Sequence, residues 1–366
     1  MNAYRSTVTA SVSEPSDAMP RDAVFRFDAS PCLGAGHAMR CLSLADALAD
    51  DGWVVTMATS DESLRTVPAL NATTHTVKVI TAEAACSADA LRETAPKGCN
   101  LLVVDNYDWD RPIETQLRGW AQSIMIIADL ADRPHDADIL LDQTAGRKPE
   151  DYADLLPTHC RLLLGSDYAL LREPFRKRRD AALARRRGTQ IPSRVLVSFG
   201  WSDPTNMTTR ALLGLEGLNL DVTVAIGRAA EHLVEIKRIA ARTGARVIED
   251  ATDMDLLMFE HDIAVGAAGS TSWERACLGL PAVAVVTGDD QKAVAHALDH
   301  AGAAQVIGPH ENVTPDTIRR SVQRLLERGW HEMAFKTADL CDGDGARRAA
   351  QTIGNITETS EGHPAP

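Results

Sequence analysis

Residues 24–50 read VFRFDASPCLGAGHAMRCLSLADALAD, and this stretch decides the fold. VFRFD is rich in β-forming residues, and the loop after it carries Gly34 and Gly36. From His37 to Asp50 the residues Met39, Leu42, Ala45 and Ala49 recur at helical spacing on one face, so a strand runs through a small-residue loop into a helix. Working outward, the same alternation recurs. Strand candidates are VVTMAT from Val54, TVKVI from Thr76, LLVVDN from Leu101, IMIIAD from Ile124 and DILLD from Asp138, with helical patterns between many of them. Near-continuous apolar strands separated by helices imply a parallel sheet covered on both faces.

The alternation pauses at PFRKRRDAALARRRGTQIPS, from Pro174, which is strongly basic and poor in bulky apolar residues. It is expected to be a solvated helix and linker over residues 174–192. A second alternation starts at RVLVSFG from Arg194 and continues through DVTVAIG (Asp221), RVIED (Arg246), DIAVGAAG (Asp262) and PAVAVV (Pro281). A final set of helices begins at SVQRLLERG from Ser321. The expected fold class is therefore α/β, with two Rossmann-like domains, residues 22–173 and 193–355, facing a cleft. A flexible polar leader over residues 1–21 and a flexible tail over 356–366 complete the division. Ligands of such folds bind beyond the carboxyl ends of the strands, here in the cleft between the domains.

Composition narrows the function. Among 366 residues, 45% hydrophobic and 24% charged is the balance of a globular protein. With 38 basic against 51 acidic residues the net charge is −13, which argues against a coat for nucleic acid or anionic lipid. A local anion site remains open, because backbone amides bind phosphate without a basic surface. The seven cysteines contain no C-x-x-C pair and read as buried thiols of a reducing cytosol, with neither a zinc site nor a redox dithiol signalled. No run of 18 apolar residues signals a membrane span, so a cytoplasmic protein is expected.

Four strand-end loops can carry chemistry. In the first, Asp28 ends a strand, Gly34 and Gly36 allow close backbone approach, and Arg40 follows in the helix. His37 opens the helix, where the dipole disfavours its protonated form and suits a neutral base; a surface or capping histidine is the plainer reading. Met39 stands where a dinucleotide fingerprint needs its third glycine. The second loop, GAAGSTSWERACLGLP from Gly266, offers Gly269, the hydroxyls of Ser270 and Thr271, and a helix start fit for a pyrophosphate. It lacks the G-K-[ST] of a P-loop, and its Glu274 could accept both hydroxyls of a ribose or merely be a first-turn acid. The third, VSFGWSDPTNMT from Val197, presents Ser198, Ser202 and Asn206; the fourth, VVDNYDWD from Val103, presents Asp105 and Tyr107. Ordinary turn chemistry also accounts for these last two.

Taken in order, GAGHAMRCLSLA, VVDNY, ADLADRPHDADILLDQ, LLGSDYALLREPF, SFGWSDPTN and GAAGSTSWERACLGLP followed by Gln291 resemble one family. It is the UDP-2,4-diacetamido-2,4,6-trideoxy-β-L-altropyranose hydrolases of pseudaminic acid biosynthesis, relatives of the MurG-like glycosyltransferases. The resemblance runs from about Phe25 to about Gly308 and implies the GT-B fold. It also implies inverting, metal-independent attack of water at the anomeric carbon of a UDP-sugar, with no cofactor. By this resemblance His37 is the base that activates water, Tyr107 lies near the reacting sugar, and Gly269, Ser270, Thr271 and Glu274 hold UDP. The first domain then carries the base and the second binds the nucleotide. Asp28 joins the catalytic candidates. Gly34, Gly36, Arg40, Asp105, Ser198, Ser202, Asn206 and Gln291 join the substrate-binding ones. Ala128, Trp201 and Asp290 depart from the family pattern and bear on which sugar is bound.

Two other functions fit the same loops. A transferase would replace water by an acceptor hydroxyl; membrane-associating transferases of this kind carry an apolar patch in the first domain, and the corresponding loops here show no apolar cluster. A silent nucleotide-sugar-binding protein would not need His37 and Tyr107 in these places. The remaining expectations are a monomer without nucleic-acid partners.

Overall fold

The computed structural model describes residues 21–81 and 84–361. In the first half, β1 (Asp22–Phe27), β2 (Val54–Thr59), β3 (Thr76–Val79), β4 (Cys99–Asp105), β5 (Ala121–Ile127), β6 (Ile139–Asp142) and β7 (Arg161–Leu164) form one parallel sheet. Its order is β3-β2-β1-β4-β5-β6-β7. In the second half, β8 (Arg194–Ser198), β9 (Asp221–Ile226), β10 (Arg246–Glu249), β11 (Ile263–Ala267), β12 (Ala282–Val286) and β13 (Gln305–Pro309) form another, ordered β10-β9-β8-β11-β12-β13. Both are Rossmann-like. The strand order reverses between β1 and β4 and again between β8 and β11, and at such switch points the loops part to leave a crevice.

The apolar runs are buried on both faces because helices cover both. Alternate residues of each strand enter opposite cores: Phe25, Phe27 and Val103 pack with Leu44 and Leu48, whereas Val24, Leu102 and Val104 pack with Leu91 and Trp109. Strands β7 and β13 were not foreseen. Both are sheet edges of four or five residues with mixed burial, so they lack the continuous apolar signal of the inner strands.

The basic segment is not the solvated connector its charge suggests. It forms the helix Glu173–Gly188, of which Arg179, Arg185 and Arg186 turn onto the ends of other helices. Arg179 donates to the carbonyls of Cys277, Ala338 and Cys341 at 2.7–2.8 Å. Arg186, 2% exposed, donates to those of Met258 and His261, and burial with the neighbouring Arg185 lowers its pKa to about 9. Carbonyls at helix C-termini have no partner within their own helix, and a cation there also meets the negative end of the dipole. A positive run in sequence is here a set of interior caps.

The tail corrects a second expectation. Gly345–Glu361 is one helix, and Ala346, Ala349, Ala350 and Ile353 on its inner face enter the core of the first domain, against the helix Gly36–Asp50. The chain thus returns from the second domain to brace the first, and the division at residue 355 cuts through a helix. Ile353 is 0% exposed, so Ile353→Ala should cost about 2–5 kcal/mol. Chemical denaturation should show the loss, and a change under 1 kcal/mol would mean that the helix is only loosely docked. The leader, apart from Arg21, and the last five residues lie outside the described residues. Every cysteine is free; Cys41, Cys99, Cys277 and Cys341 are buried as expected, but Cys32 and Cys86 are exposed in loops. Among the described residues no helix is long and apolar enough to cross a membrane.

Candidate active site

The first-domain site stands at the β1/β4 switch point. Phe27 of β1 is in register with Asp105, the last residue of β4, and the helix Gly36–Asp50 opens beside them. Within that helix His37, Arg40 and Cys41 lie at i, i+3 and i+4, hence on one face, and all three reach Asp105. His37 Nδ1 lies 2.6 Å from one carboxylate oxygen, Arg40 Nε donates to the other at 2.6 Å, and Cys41 Sγ donates at 3.6 Å. Asp105 is 1% exposed. Burial pushes its carboxyl up, but Arg40 and then His37 outweigh burial and hold it well below the ordinary carboxylate range. It is an anion. In the neutral ring Nδ1 then donates to this anion and the lone pair falls to Nε2; no described protein group bonds Nε2, and it is not sealed from solvent.

Arg40 also binds Asp129, just past β5, through Nη1 and Nη2 at 2.6 and 2.9 Å. Asp129 in turn accepts the Tyr107 hydroxyl at 2.9 Å. Burial and the Asp129 charge push the Tyr107 phenol up, so it stays a protonated donor with its oxygen lone pairs free. Its ring meets the His37 ring edge-on, centroids 4.9 Å apart at 89°. Five side chains from three strand-end segments therefore form one network around His37.

Several sequence candidates take other places. Asp28 accepts from Arg26, Asn106 Nδ2 and the Ser60 amide, tying adjacent strand ends together rather than joining His37. Asp105 and Arg40, expected to touch substrate, are spent on each other and on their neighbours. Asp129, the last residue of the strand candidate IMIIAD and part of one of the quoted motifs, is not among the expected site residues. Its role depends on where Arg40 points.

The second-domain site lies beyond β8 and β11. Ser198 ends β8 in register with Gly266, and its hydroxyl has no partner among the described residues. Past β11 come Gly269, Ser270 and the helix Thr271–Cys277. Arg275 folds back to the Ala267 carbonyl and Ser272 Oγ at 2.7 and 2.8 Å and so fixes this loop. Glu274 lines the pocket beside it, and among the described residues its carboxylate accepts no hydrogen bond. Gln291 holds the Thr287 amide and hydroxyl at 3.0 and 3.1 Å and borders Gly269, where a Cβ would stand 3.5 Å from its Nε2. Asn206 takes a left-handed conformation, φ 50°, before the helix Met207–Leu215, while Asp203 caps that helix through the amides of Met207 and Thr208. Trp201 packs onto Gly227, which offers no Cβ to meet its ring.

The two sites face each other closely. A Cβ on Gly36 would lie 3.1 Å from Ser270 Oγ, so the glycine lets the two helix starts approach. Ser202, expected to bind substrate, instead donates to the Pro31 carbonyl across the cleft at 2.5 Å, beside the turn closed by Gly34 N to Ser30 O. Asp290 reaches from the second domain into the same field: desolvation and then the Asp129 charge push its carboxyl up. A small pocket of about 30 Å³ between the domains is lined by Gly36, Arg40, Ser270, Trp273 and Glu274, together with Arg172.

Residues 205–352 match the family model of the Glycosyltransferase family 28 C-terminal domain. The spore coat polysaccharide biosynthesis protein SpsG of Bacillus subtilis is 25% identical over 205 residues, 54% of this chain and 59% of that protein. The chain therefore spans little more than half of that relative. The UDP-2,4-diacetamido-2,4,6-trideoxy-β-L-altropyranose hydrolase of Campylobacter jejuni is 23% identical over 248 residues, 68% of this chain and 85% of that one. The crystal structure of MurG from Acinetobacter baumannii superposes with a TM-score of 0.65 at 16% identity, covering 92% of this chain and 100% of that one. The fold is GT-B.

Proposed function

We propose that this chain is a metal-independent hydrolase that removes UDP from a UDP-linked 2,4-diacetamido-2,4,6-trideoxyhexose in the cytoplasmic synthesis of a nonulosonic acid. The observation that carries the reading is the His37–Asp105 pair, which leaves Nε2 unbonded at the mouth of a GT-B cleft. In the reaction, Nε2 takes a proton from water as its oxygen attacks the anomeric carbon. The bond from that carbon to the β-phosphate oxygen breaks, the configuration inverts, and UDP leaves with the bonding pair. Asp105 fixes the tautomer of His37 and stabilises the imidazolium that forms. UDP leaves as an anion, so it needs charge neutralisation more than a proton, and the Ser270–Thr271 helix start supplies oriented donors. Tyr107, its proton committed to Asp129, presents acceptor lone pairs to the sugar. The similarity to the Campylobacter hydrolase over most of its length supports the choice of water and of sugar.

A second reading, sugar transfer to an acceptor, is favoured by the family 28 match of the second domain. Incubation with the UDP-sugar and no acceptor separates the two: UDP release that survives excess EDTA supports hydrolysis. Release only on adding an acceptor would support transfer, and strict dependence on a divalent cation would remove the proposed mechanism.

Glu274 should accept the ribose hydroxyls. Losing a charged acceptor costs about 1.5–3 kcal/mol, so Glu274→Ala should bind UDP about 10- to 150-fold more weakly by titration calorimetry. Parental affinity would make Glu274 only a first-turn acid favoured by the dipole.

A further inference from the structure

Arg172 lies outside the four strand-end loops. It lies on the connection between the two domains, immediately before the helix Glu173–Gly188 and within the quoted LLGSDYALLREPF motif. It is not a loose surface arginine. Its guanidinium sits 5.4 Å from the centre of the buried Phe175 ring, Nη1 donates to the Thr252 carbonyl at 3.3 Å, and Nε is sealed from solvent without a partner. A buried donor left unpaired calls for a compensating reason for its placement. Arg172 lines the same interdomain pocket as Glu274, whose carboxylate is likewise unbonded among the described residues, yet no ion pair joins the two.

We infer that Arg172 is a positioning residue of the nucleotide site: held on the interdomain connection, it is the opposing charge that keeps Glu274 a ligand-accepting anion. The assignment of Glu274 to the nucleotide rests on the proposed function; the pairing itself does not. The other charged groups around Glu274 are already committed. Arg275 binds Ala267 and Ser272, Arg40 binds Asp105 and Asp129, and the nearby Asp255 is paired with Arg178 at 2.7 Å. Burial raises the Glu274 carboxyl, Arg172 is the strongest influence lowering it, Arg275 follows, and Asp255 raises it further. Without Arg172 the carboxyl would titrate higher still.

The sign of the effect follows. Below the unfolded value near 4.5 Glu274 is protonated in either protein, so its charge costs nothing. As pH rises through the folded value the buried charge must form, and Arg172→Gln makes that more costly. The melting-temperature deficit of Arg172→Gln should therefore grow from about pH 5 to about pH 8, vanish as a pH-dependent effect in a Glu274→Gln background, and be largely repaired by Arg172→Lys. UDP affinity should respond in the opposite sense. Arg172→Gln should weaken UDP increasingly as pH falls, toward a limit of about tenfold for each unit by which the Glu274 pKa rises, and approach the parent toward pH 8. A deficit that is flat with pH, or that keeps its pH dependence in the Glu274→Gln background, overturns the pairing whether or not UDP binds. A UDP affinity that falls equally at every pH overturns the positioning role. A parent protein that binds no UDP overturns the nucleotide reading of the site, and the melting series then still decides the pairing.

Discussion

His37→Asn lowers kcat for UDP release by about 10²–10⁴, the usual contribution of a positioned general base, while UDP affinity stays near the parent's. The asymmetry follows from the geometry. His37 binds Asp105 and packs edge-on against Tyr107 in the first domain, whereas the groups proposed for UDP stand on the second. Asparagine retains a donor for Asp105, so the network keeps an occupant and the loss falls on proton transfer. Steady-state kinetics with calorimetry on the same preparation would check it. A kcat within threefold of the parent would remove His37 from the chemistry, and a parallel loss of UDP binding would mean that the substitution had disturbed the whole cleft.

Asp105→Asn carries a double penalty. Without the carboxylate, His37 loses the partner that fixes its tautomer, and in comparable triads this costs about 10⁴ in kcat. Arg40, 5% exposed, also loses half its counter-charge, and breaking a buried pair costs about 3–5 kcal/mol. Asp129 still holds Arg40 through two hydrogen bonds, so the lower end is expected. Because the folded pKa of Asp105 lies below its unfolded value near 3.8, its stabilisation is fully present above that value and fades as pH falls toward the folded one. The stability gap between parent and Asp105→Asn should hold from pH 8 to about 5 and narrow on acidification below about 4. A gap that does not narrow at all between pH 5 and pH 3 would mean that shape rather than charge is lost. Activity measured well below the variant's melting temperature keeps the kinetic penalty apart from unfolding.

What the sequence disclosed and withheld has a common physical cause. His37, Tyr107 and Asp105 were legible because strand ends and helix starts can be read locally, and a parallel sheet sends both to one edge. Local reading also located the Gly269–Thr271 turn and Glu274. Roles set by the direction of a long side chain were hidden. Arg40 looked like a ligand contact but points into the network, and Asp129 gained meaning only when Arg40 reached it. The arginines of Glu173–Gly188 looked solvated because nothing in their own segment says that three other helices end against them. The last helix illustrates a different limit. Ala346, Ala349, Ala350 and Ile353 have helical spacing, but their partner lies about three hundred residues earlier, in the helix that carries His37.

The central claim is that water, activated by His37, displaces UDP at the anomeric carbon. Its most direct test is a single incubation of the protein with a UDP-linked 2,4-diacetamido-2,4,6-trideoxyhexose in oxygen-18 water, without acceptor, followed by mass spectrometry of both products. The account predicts UDP of unaltered mass and free sugar carrying one heavy oxygen, formed first as the inverted anomer. Heavy oxygen in UDP would place cleavage at phosphorus, and no release at all without an acceptor would make the protein a transferase; either result contradicts the account.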